Sequence, residues 1–320
     1  MQYQIEATLD SEEGRARVAG FVCEWICSEG LRSLVAAEGW AWPEGETLEA
    51  TVEHLARLTE AWDFRRGRER VQLGDAASSL PDETVHAAAQ ALGLLSSERA
   101  LHSRYDHILV PGGTAFSSFR RVALVRDLLD AGVQTSGIWL LGAMRNIRPE
   151  ERESFGGLPH RLLSNVSTEF DALGAAAREY LDLVGGSDCA ISDGNDSHWD
   201  AIYSAPSPLG PTVAVVAAAS SAPGARASTR DNYRSFIASA DPEAGSRILI
   251  CTTQIYAPYQ FFTAVMTLCR ARALDLELIG AGAETGTGSL FRPANYLQEV
   301  RSGVLGAQAL LRSLAGTADA

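Results

Sequence analysis

HILVPGGTAFSSFRRVALV, residues 107–125, is the stretch that decides the fold. It begins as a short apolar run, ends that run at the glycine pair Gly112 and Gly113, and continues in a helical pattern of apolar residues. A buried strand that turns through glycines into a helix is the repeating unit of a parallel α/β sheet. The stretch therefore predicts the first strand and the first helix of such a sheet.

The same alternation continues toward the C-terminus. Further strands are predicted at 137–143, 212–218, 247–253 and 274–280, with a short one at 189–192, and helices at about 168–185, 229–240, 258–273 and 295–314. Apolar strands that alternate with helices form a mainly parallel sheet that is covered on both faces. We therefore expect a Rossmann-like α/β fold, which binds its ligand outside the carboxyl ends of its strands.

Residues 1–100 show the periodicity of helices and lack the apolar runs of buried strands. Apolar residues recur at steps of three and four from Val18 to Leu34 and from Leu48 to Trp62, and a third helical pattern runs from Asp82 to Leu92. These patterns indicate amphipathic helices. We therefore divide the chain into a helical N-terminal region, 1–100, and a Rossmann-like α/β domain, 101–320. Four arginines within 65–70 form either a solvated loop or a patch that faces an anion.

Charge and composition exclude several function classes. The chain has 27 basic and 40 acidic side chains, a net charge of −13, so we expect no nucleic-acid partner. All 27 basic residues are arginines, which excludes Schiff-base chemistry, a P-loop lysine and a lysine general base. The opening residues lack the apolar core of a signal peptide, and no run of about 18 apolar residues occurs. We therefore expect a cytoplasmic protein without a membrane partner.

The cysteines and one acidic stretch are the candidates for a metal site. Five scattered cysteines are typical of reduced thiols, and Cys23 with Cys27, four residues apart, is expected to pack in a core rather than to bind metal. SDGNDSHWD, 192–200, fits neither the calcium-loop nor the HExxH spacing, so it is interpreted as a polar lid loop. We predict no metal.

The first candidate ligand site follows the first strand. Gly112 and Gly113 let a ligand approach the backbone, and the helix that begins after Thr114 directs its amide end at the same place, which favours an anion. Arg120 and Arg121, about two turns into that helix, would pair the anion. The pattern is neither GxGxxG nor a Walker loop, and the alternative is that the glycines only make the turn.

The second candidate site follows the strand at 247–253. TTQIYAPYQ, 252–260, is polar and aromatic where a buried strand ends, so Thr253, Gln254, Tyr256 and Tyr259 are expected to contact the ligand. The alternative interpretation is the start of a helix with a proline in its first turn.

Two helix starts complete the candidates. Ser228 and Asp231 form a capping pattern, and Thr229 and Asn232 beside them either face the cleft or belong only to the cap. Glu169 begins another helix after a polar loop. A carboxylate there is favoured by the helix dipole, and it is also the candidate for a general base or for an acceptor of ribose-type hydroxyl groups.

The order of these features resembles that of the YdcF-like proteins, the family that includes SanA and ElyC. The likeness covers residues 105–315: the Gly-Gly strand end, the helix led by Glu169, the Thr-x-x-Asn segment from Thr229 to Asn232, the Thr-Thr strand end at 252–253, and YLQE at 296–299. It implies a Rossmann-like fold and a nucleotide-type ligand such as S-adenosylmethionine. The pocket that it implies comprises Gly112, Gly113, Glu169, Thr229, Asn232, Thr253 and Glu299. Where the family often shows His-x-x-Arg, this chain has Tyr256 and Tyr259, which indicates a different substrate.

These observations lead to three functional hypotheses. The first is a cytoplasmic enzyme of small-molecule, specialised metabolism that transfers a group to or from a nucleotide-like or S-adenosylmethionine-like ligand, with hydrolysis or elimination as the next reaction classes. Its catalytic residues would be Glu169, Tyr256 and Tyr259; its ligand-binding residues would be Gly112, Gly113, Thr114, Arg120, Arg121, Thr229, Asn232, Thr253, Gln254 and Glu299. The second hypothesis is a non-catalytic module that binds the same ligand, and the third is a scaffold that acts as a homodimer.

Overall fold

The structure, a computed structural model, describes residues 1–66, 78–95, 99–149, 151, 166–183, 190–194, 198–222, 224–282, 284–285, 288–289 and 291–316. The chain divides into two compact units. The helical unit comprises Met1–Glu98, Gln254–Ala273 and Gly282–Ala320, and the α/β unit comprises Arg99–Thr253 and Leu274–Ala281. The segments that follow Thr253 and Ala281 thus cluster with the N-terminal region.

Nine helices and ten strands occur in the described part of the chain. The helices are α1 (Glu12–Ile26), α2 (Glu29–Ala37), α3 (Leu48–Leu58), α4 (Asp82–Ala91), α5 (Ala115–Asp130), α6 (Glu169–Tyr180), α7 (Thr229–Ala240), α8 (Ala257–Ala271) and α9 (Pro293–Leu314). The strands are β1 (Tyr3–Ala7), β2 (Arg104–Pro111), β3 (Gln134–Gly142), β4 (Ala190–Gly194), β5 (His198–Pro206), β6 (Thr212–Ala217), β7 (Arg247–Thr253), β8 (Leu274–Ala281), β9 (Glu284–Thr285) and β10 (Gly288–Ser289). No helix among the described residues is both long and apolar enough to cross a bilayer.

The α/β unit contains a seven-stranded sheet in the order β8-β7-β2-β3-β6-β5-β4. The first five strands in this order run parallel; β5 pairs antiparallel with β6, and β4 pairs antiparallel with β5. Strand β2 is the first of these seven strands in the chain and lies between β3 and β7, so successive strands are added first on one side of it and then on the other. Sheets of this kind bind ligands in the crevice at the carboxyl ends of the strands where the order reverses.

Helices cover both faces of this sheet. On one face, Ile108 and Val110 of β2 pack in a core with Phe119 of α5 and Leu173 of α6. On the other face, the Phe236 ring of α7 packs edge-on against the rings of His107 and Trp139. The predicted fold class, a mainly parallel α/β sheet with helices on both faces and a helical N-terminal region, is confirmed.

The predicted polar lid loop at 192–200 is wrong. Ser192 to Gly194 belong to β4 and His198 to Asp200 to β5, which pair as antiparallel strands. An antiparallel strand with one solvated face alternates polar and apolar residues, so it lacks the continuous apolar run that identified the parallel strands. Asn195 and Asp196 lie outside the described residues.

The helical unit has a core of its own. The buried Trp25 ring of α1 donates a hydrogen bond from Nε1 to the Tyr3 hydroxyl at 3.1 Å, and that hydroxyl donates to the Leu92 carbonyl at 2.6 Å. Gly303 of α9 lies against the Trp25 ring, since a Cβ at Gly303 would be 2.7 Å from it. Strand β1, helix α1 and the segment after α4 are thus joined through the Tyr3 hydroxyl.

Candidate functional site

The candidate site lies at the carboxyl ends of β2, β3 and β7. At the end of β2, the Gly112 amide donates to the Leu141 carbonyl at 2.5 Å. A Cβ at Gly112 would lie 1.8 Å from Glu169 Oε1 and 2.9 Å from the Leu141 oxygen. Glycine at 112 therefore admits the Glu169 carboxylate to the strand end, where the sequence analysis expected a ligand to approach the backbone.

The start of helix α6 positions Glu169. Thr168 caps the helix, and Asp171 returns the hydrogen bond in a capping box. The Glu169 amide donates to the Arg145 carbonyl at 3.0 Å, which ties the helix start to the segment after β3. The carboxylate is buried, as the first residue of a helix whose amide end favours a negative charge.

Arg145 holds two buried carboxylates. Its Nε donates to Glu169 Oε2 at 2.7 Å, and its Nη1 and Nη2 donate to the two oxygens of Glu151 at 2.6 and 3.1 Å. Nη2 also donates to the Gly113 carbonyl at 2.6 Å. Sequence reasoning missed both Arg145 and Glu151, although Arg145 follows the predicted second strand by only a few residues, which is a position that could have identified it.

Arg121 joins the ends of β2 and β7. Its side chain is buried; Nη1 donates to the carbonyls of Pro111 at 2.5 Å and Gly112 at 2.6 Å, and Nε donates to Thr253 Oγ1 at 3.1 Å. These two strands flank the point where the strand order reverses. Arg121 therefore places a positive charge at the crevice where sheets of this type bind ligands.

Asn232 brings an unused acceptor to the same edge. Its Nδ2 donates to the Leu141 carbonyl at 3.2 Å, and its buried Oδ1 has no hydrogen-bond partner among the described residues. The capping box between Ser228 and Asp231 fixes the turn of α7 that carries it. The Leu141 oxygen thus accepts hydrogen bonds from the Gly112 amide and from Asn232. The Asn232 amide and the Glu169 carboxylate therefore both lie beside the backbone of Leu141 and Gly112. Buried acceptors without a partner are rare in proteins and indicate a missing donor.

Burial and three arginines act in opposite directions on Glu169. Burial raises the pKa of the carboxyl group, while the charges of Arg145, Arg226 and Arg121 lower it, and the net shift is upward. With Glu151 included, the cluster has three guanidinium groups and two carboxylates. It therefore carries a net positive charge when all five groups are ionised, in a chain whose net charge is −13.

Of the predicted residues in the α/β unit, the structure brings six together and places three at its margins. Gly112, Gly113, Arg121, Glu169, Asn232 and Thr253 form the connected set. Thr114 caps α5, with Oγ1 accepting from the Ser117 amide at 3.2 Å, and Thr229 is the first residue of α7. The half-buried Arg120 lies over the Phe116 ring.

The other four predicted residues belong to the helical unit. Gln254 donates to the Gly93 carbonyl at 2.5 Å, and the buried Tyr256 ring packs edge-on against Phe291. Tyr259 is 37% exposed, so the two tyrosines lie in different environments. Glu299 is buried in an ion pair with Arg65, so this arginine of the predicted anion patch is already neutralised. Arg68 and Arg70 lie outside the described residues.

The first testable prediction concerns the helix start. Thr168→Ala removes the side chain that accepts from the Asp171 amide, and loss of such a cap costs about 1 kcal/mol. We expect the free energy of unfolding to fall by about that amount in urea denaturation. Thr47→Ala removes the equivalent cap of α3, which lies far from Glu169 in the chain. It is the matched control that separates the loss of a helix cap from any effect on ligand binding near Glu169. An unchanged midpoint in Thr168→Ala would contradict the prediction.

Comparison with known proteins shows a different relationship from the one expected. The sequence profile of a family described as Rv3785 N-terminal domain matches residues 10–93. Over 329 aligned residues, the chain is 29% identical to the uncharacterized protein Rv3785 of Mycobacterium tuberculosis (strain H37Rv) and equally to the uncharacterized protein Mb3814 of Mycobacterium bovis. Each alignment covers 93% of this chain and 91% of the relative. No solved structure shows significant similarity to the chain.

The expected resemblance to YdcF-like proteins is therefore wrong. The matching profile covers the helical N-terminal region, which that resemblance treated as an addition, and the relatives align over nearly the whole chain. The motifs that carried the resemblance are the turns and caps that many parallel sheets require: a glycine pair after a strand, a capped helix and a threonine at a strand end. Shared folding requirements reproduce their order without a shared family.

Proposed function

We propose that the α/β unit is an enzyme that binds an anionic small molecule bearing hydroxyl groups, of the nucleotide type, at the carboxyl ends of β2, β3 and β7. One observation carries the proposal: Arg145 forms an ion pair with the buried carboxylate of Glu169, and the charges of Arg226 and Arg121 also act on that carboxylate, beside the reversal of strand order. A chain of net charge −13 repels anions at long range, so three arginines in one place are the local feature that favours one.

Glu169 is the proposed general base. Arg145 fixes Oε2, while Oε1 faces Gly112, where the absent side chain leaves the backbone bare. The raised pKa of the carboxyl group brings its proton affinity closer to neutral pH, which suits a base that must gain and release a proton. Asn232 Oδ1 would accept a second hydroxyl of the ligand.

The reaction class that we propose first is group transfer, with hydrolysis or elimination next. Positive charge at the site supports a phosphate-bearing nucleotide over S-adenosylmethionine, because the sulfonium and ammonium groups of the latter are cationic. We further propose that the protein acts in the cytoplasm on a small molecule and binds neither nucleic acid nor a membrane.

A non-catalytic binding module is the second candidate. It is favoured by Arg145, which makes four hydrogen bonds to Glu151, Glu169 and the Gly113 carbonyl and so resembles a structural clamp. A module of this kind would bind the same ligand without converting it.

A thermal-shift screen of nucleotides, sugar phosphates and S-adenosyl compounds tests the proposal. A ligand at 100 times its Kd stabilises by about 2.7 kcal/mol, so we expect at least one anionic compound to raise the Tm by several degrees. Glu169→Gln should keep this shift and lose conversion, with Glu53→Gln on the exposed face of α3 as the matched control. Binding without conversion by the parent protein would favour the module. No shift with any anionic compound would overturn both.

A further inference from the structure

A pair of thiols in the helical unit lies outside every site discussed above. Cys23, in α1, is exposed, and Cys27, at the end of α1, is partly exposed; their Sγ atoms are 4.0 Å apart. The expectation that these two cysteines pack in a core is therefore wrong. Cys251 and Cys269, by contrast, are buried.

A disulfide does not suit the separation of these two side chains. Residues four apart on a helix have Cβ atoms about 5–6 Å apart, whereas a disulfide requires about 3.5–4.5 Å. The Cys27 amide still donates to the Cys23 carbonyl at 2.8 Å, so the last helical turn is intact. Oxidation to a disulfide would have to unwind that turn.

One ion between the two sulfurs fits without moving the helix. Two metal–sulfur bonds of about 2.3 Å in a linear S–metal–S arrangement, which two-coordinate Cu(I) prefers, place the sulfurs about 4.6 Å apart. The Sγ atoms of Cys23 and Cys27 are 4.0 Å apart, so rotation of the two side chains reaches that separation. Thiolates are soft ligands that select Cu(I) and Zn(II) among biological ions. Structural zinc sites use four protein ligands, and within the described residues no group of three or more His, Cys, Asp or Glu side chains is arranged for a metal. A site with two thiolates therefore suits the ion that accepts low coordination numbers, Cu(I).

We propose that Cys23 and Cys27 bind one Cu(I) ion as a two-thiolate site. Each thiol releases its proton to solvent and donates a sulfur lone pair to the metal, with no change in the oxidation state of either. The Arg32 guanidinium, which donates to the Cys27 carbonyl at 3.2 Å, adds positive charge beside the second thiolate.

Titration of the full-length, reduced protein with Cu(I) under anaerobic conditions, against a chromophoric Cu(I) chelator, tests the site. We expect the parent protein to bind one equivalent of Cu(I). We also expect the bound ion to protect two thiols that iodoacetamide modifies in the metal-free protein. Cys23→Ser and Cys27→Ser should each weaken binding at least about 100-fold, the upper end of the loss seen when a group that only supports a ligand is removed.

Cys189, Cys251 and Cys269 remain in every variant and serve as the internal control. If Cys23→Ser/Cys27→Ser takes up Cu(I) as the parent does, these remaining thiols are responsible and the proposal is wrong. Unchanged alkylation of the parent in the presence of Cu(I) would also overturn the proposal. So would oxidation of Cys23 and Cys27 to a disulfide when the parent protein is exposed to air.

Discussion

Arg145→Met is expected to lower the free energy of unfolding by about 3–5 kcal/mol at neutral pH, the cost of removing one partner from a buried ion pair. The variant leaves the carboxylates of Glu151 and Glu169 buried without their shared cation, since both side chains are less than a tenth exposed. Methionine retains an unbranched apolar side chain, so the loss comes from the charge and its hydrogen bonds rather than from a large cavity. Urea denaturation with measurement at several pH values checks the prediction.

The deficit of Arg145→Met should grow as the pH rises. Burial holds the pKa of Glu169 in the folded protein above its ordinary value of 4.5. At a pH between the ordinary and the raised value, the folded state binds a proton that the unfolded state has lost, so the free energy of unfolding falls as the pH rises. Removing Arg145 takes away a charge that lowers this pKa, which extends the window upward. The loss should therefore be larger at pH 8 than at pH 5.

Arg57→Met is the control for Arg145→Met, because Arg57 pairs with Glu53 on an exposed helix face and its removal should leave the unfolding midpoint unchanged. An Arg145→Met deficit that is equally large at both pH values would show that lost packing, and not the loss of the cation shared by two buried carboxylates, causes it.

The parallel part of the sheet was predictable because its strands are buried on both faces and read as continuous apolar runs. Residues 212–218 and 247–253 were predicted as strands, and β6 and β7 occupy Thr212–Ala217 and Arg247–Thr253. Strand β5 has no such run, and its role as an antiparallel neighbour of β6 depends on the sheet as a whole. Periodicity along the chain carries no information about that partner.

The candidate site was predictable where regular structure fixes a position. Gly112 ends a strand and Glu169 begins a helix, so the ends of regular elements placed both of them. Arg145 and Arg226 lie outside the strands and the helices α5 to α7, where no repeat marks a position. Their convergence is a property of the folded chain, and it supplies most of the charge on which the proposed function rests.

Gly112→Ala is expected to lower the free energy of unfolding by about 3 kcal/mol, at the upper end of the usual cost of overpacking. The new methyl group would lie 1.8 Å from Glu169 Oε1. The carboxylate has little freedom to withdraw, because Arg145 holds its other oxygen at 2.7 Å. Gly113→Ala is the matched control: its Cβ would be 3.3 Å from Arg121 Nη1, and neither glycine has a positive φ, so backbone strain does not enter.

A double-mutant cycle with Glu169→Ala isolates the contact that matters. Without the carboxylate, the nearest atom to the methyl group at 112 is the Leu141 oxygen at 2.9 Å. Gly112→Ala should therefore cost about 1–2 kcal/mol less in that background, within the range found for residues in contact. The cycle requires no substrate and reports directly on where the proposed base lies. If the two costs simply add, the carboxylate of Glu169 is not held against Gly112 in solution, and a general base at this strand end would have to come from another residue.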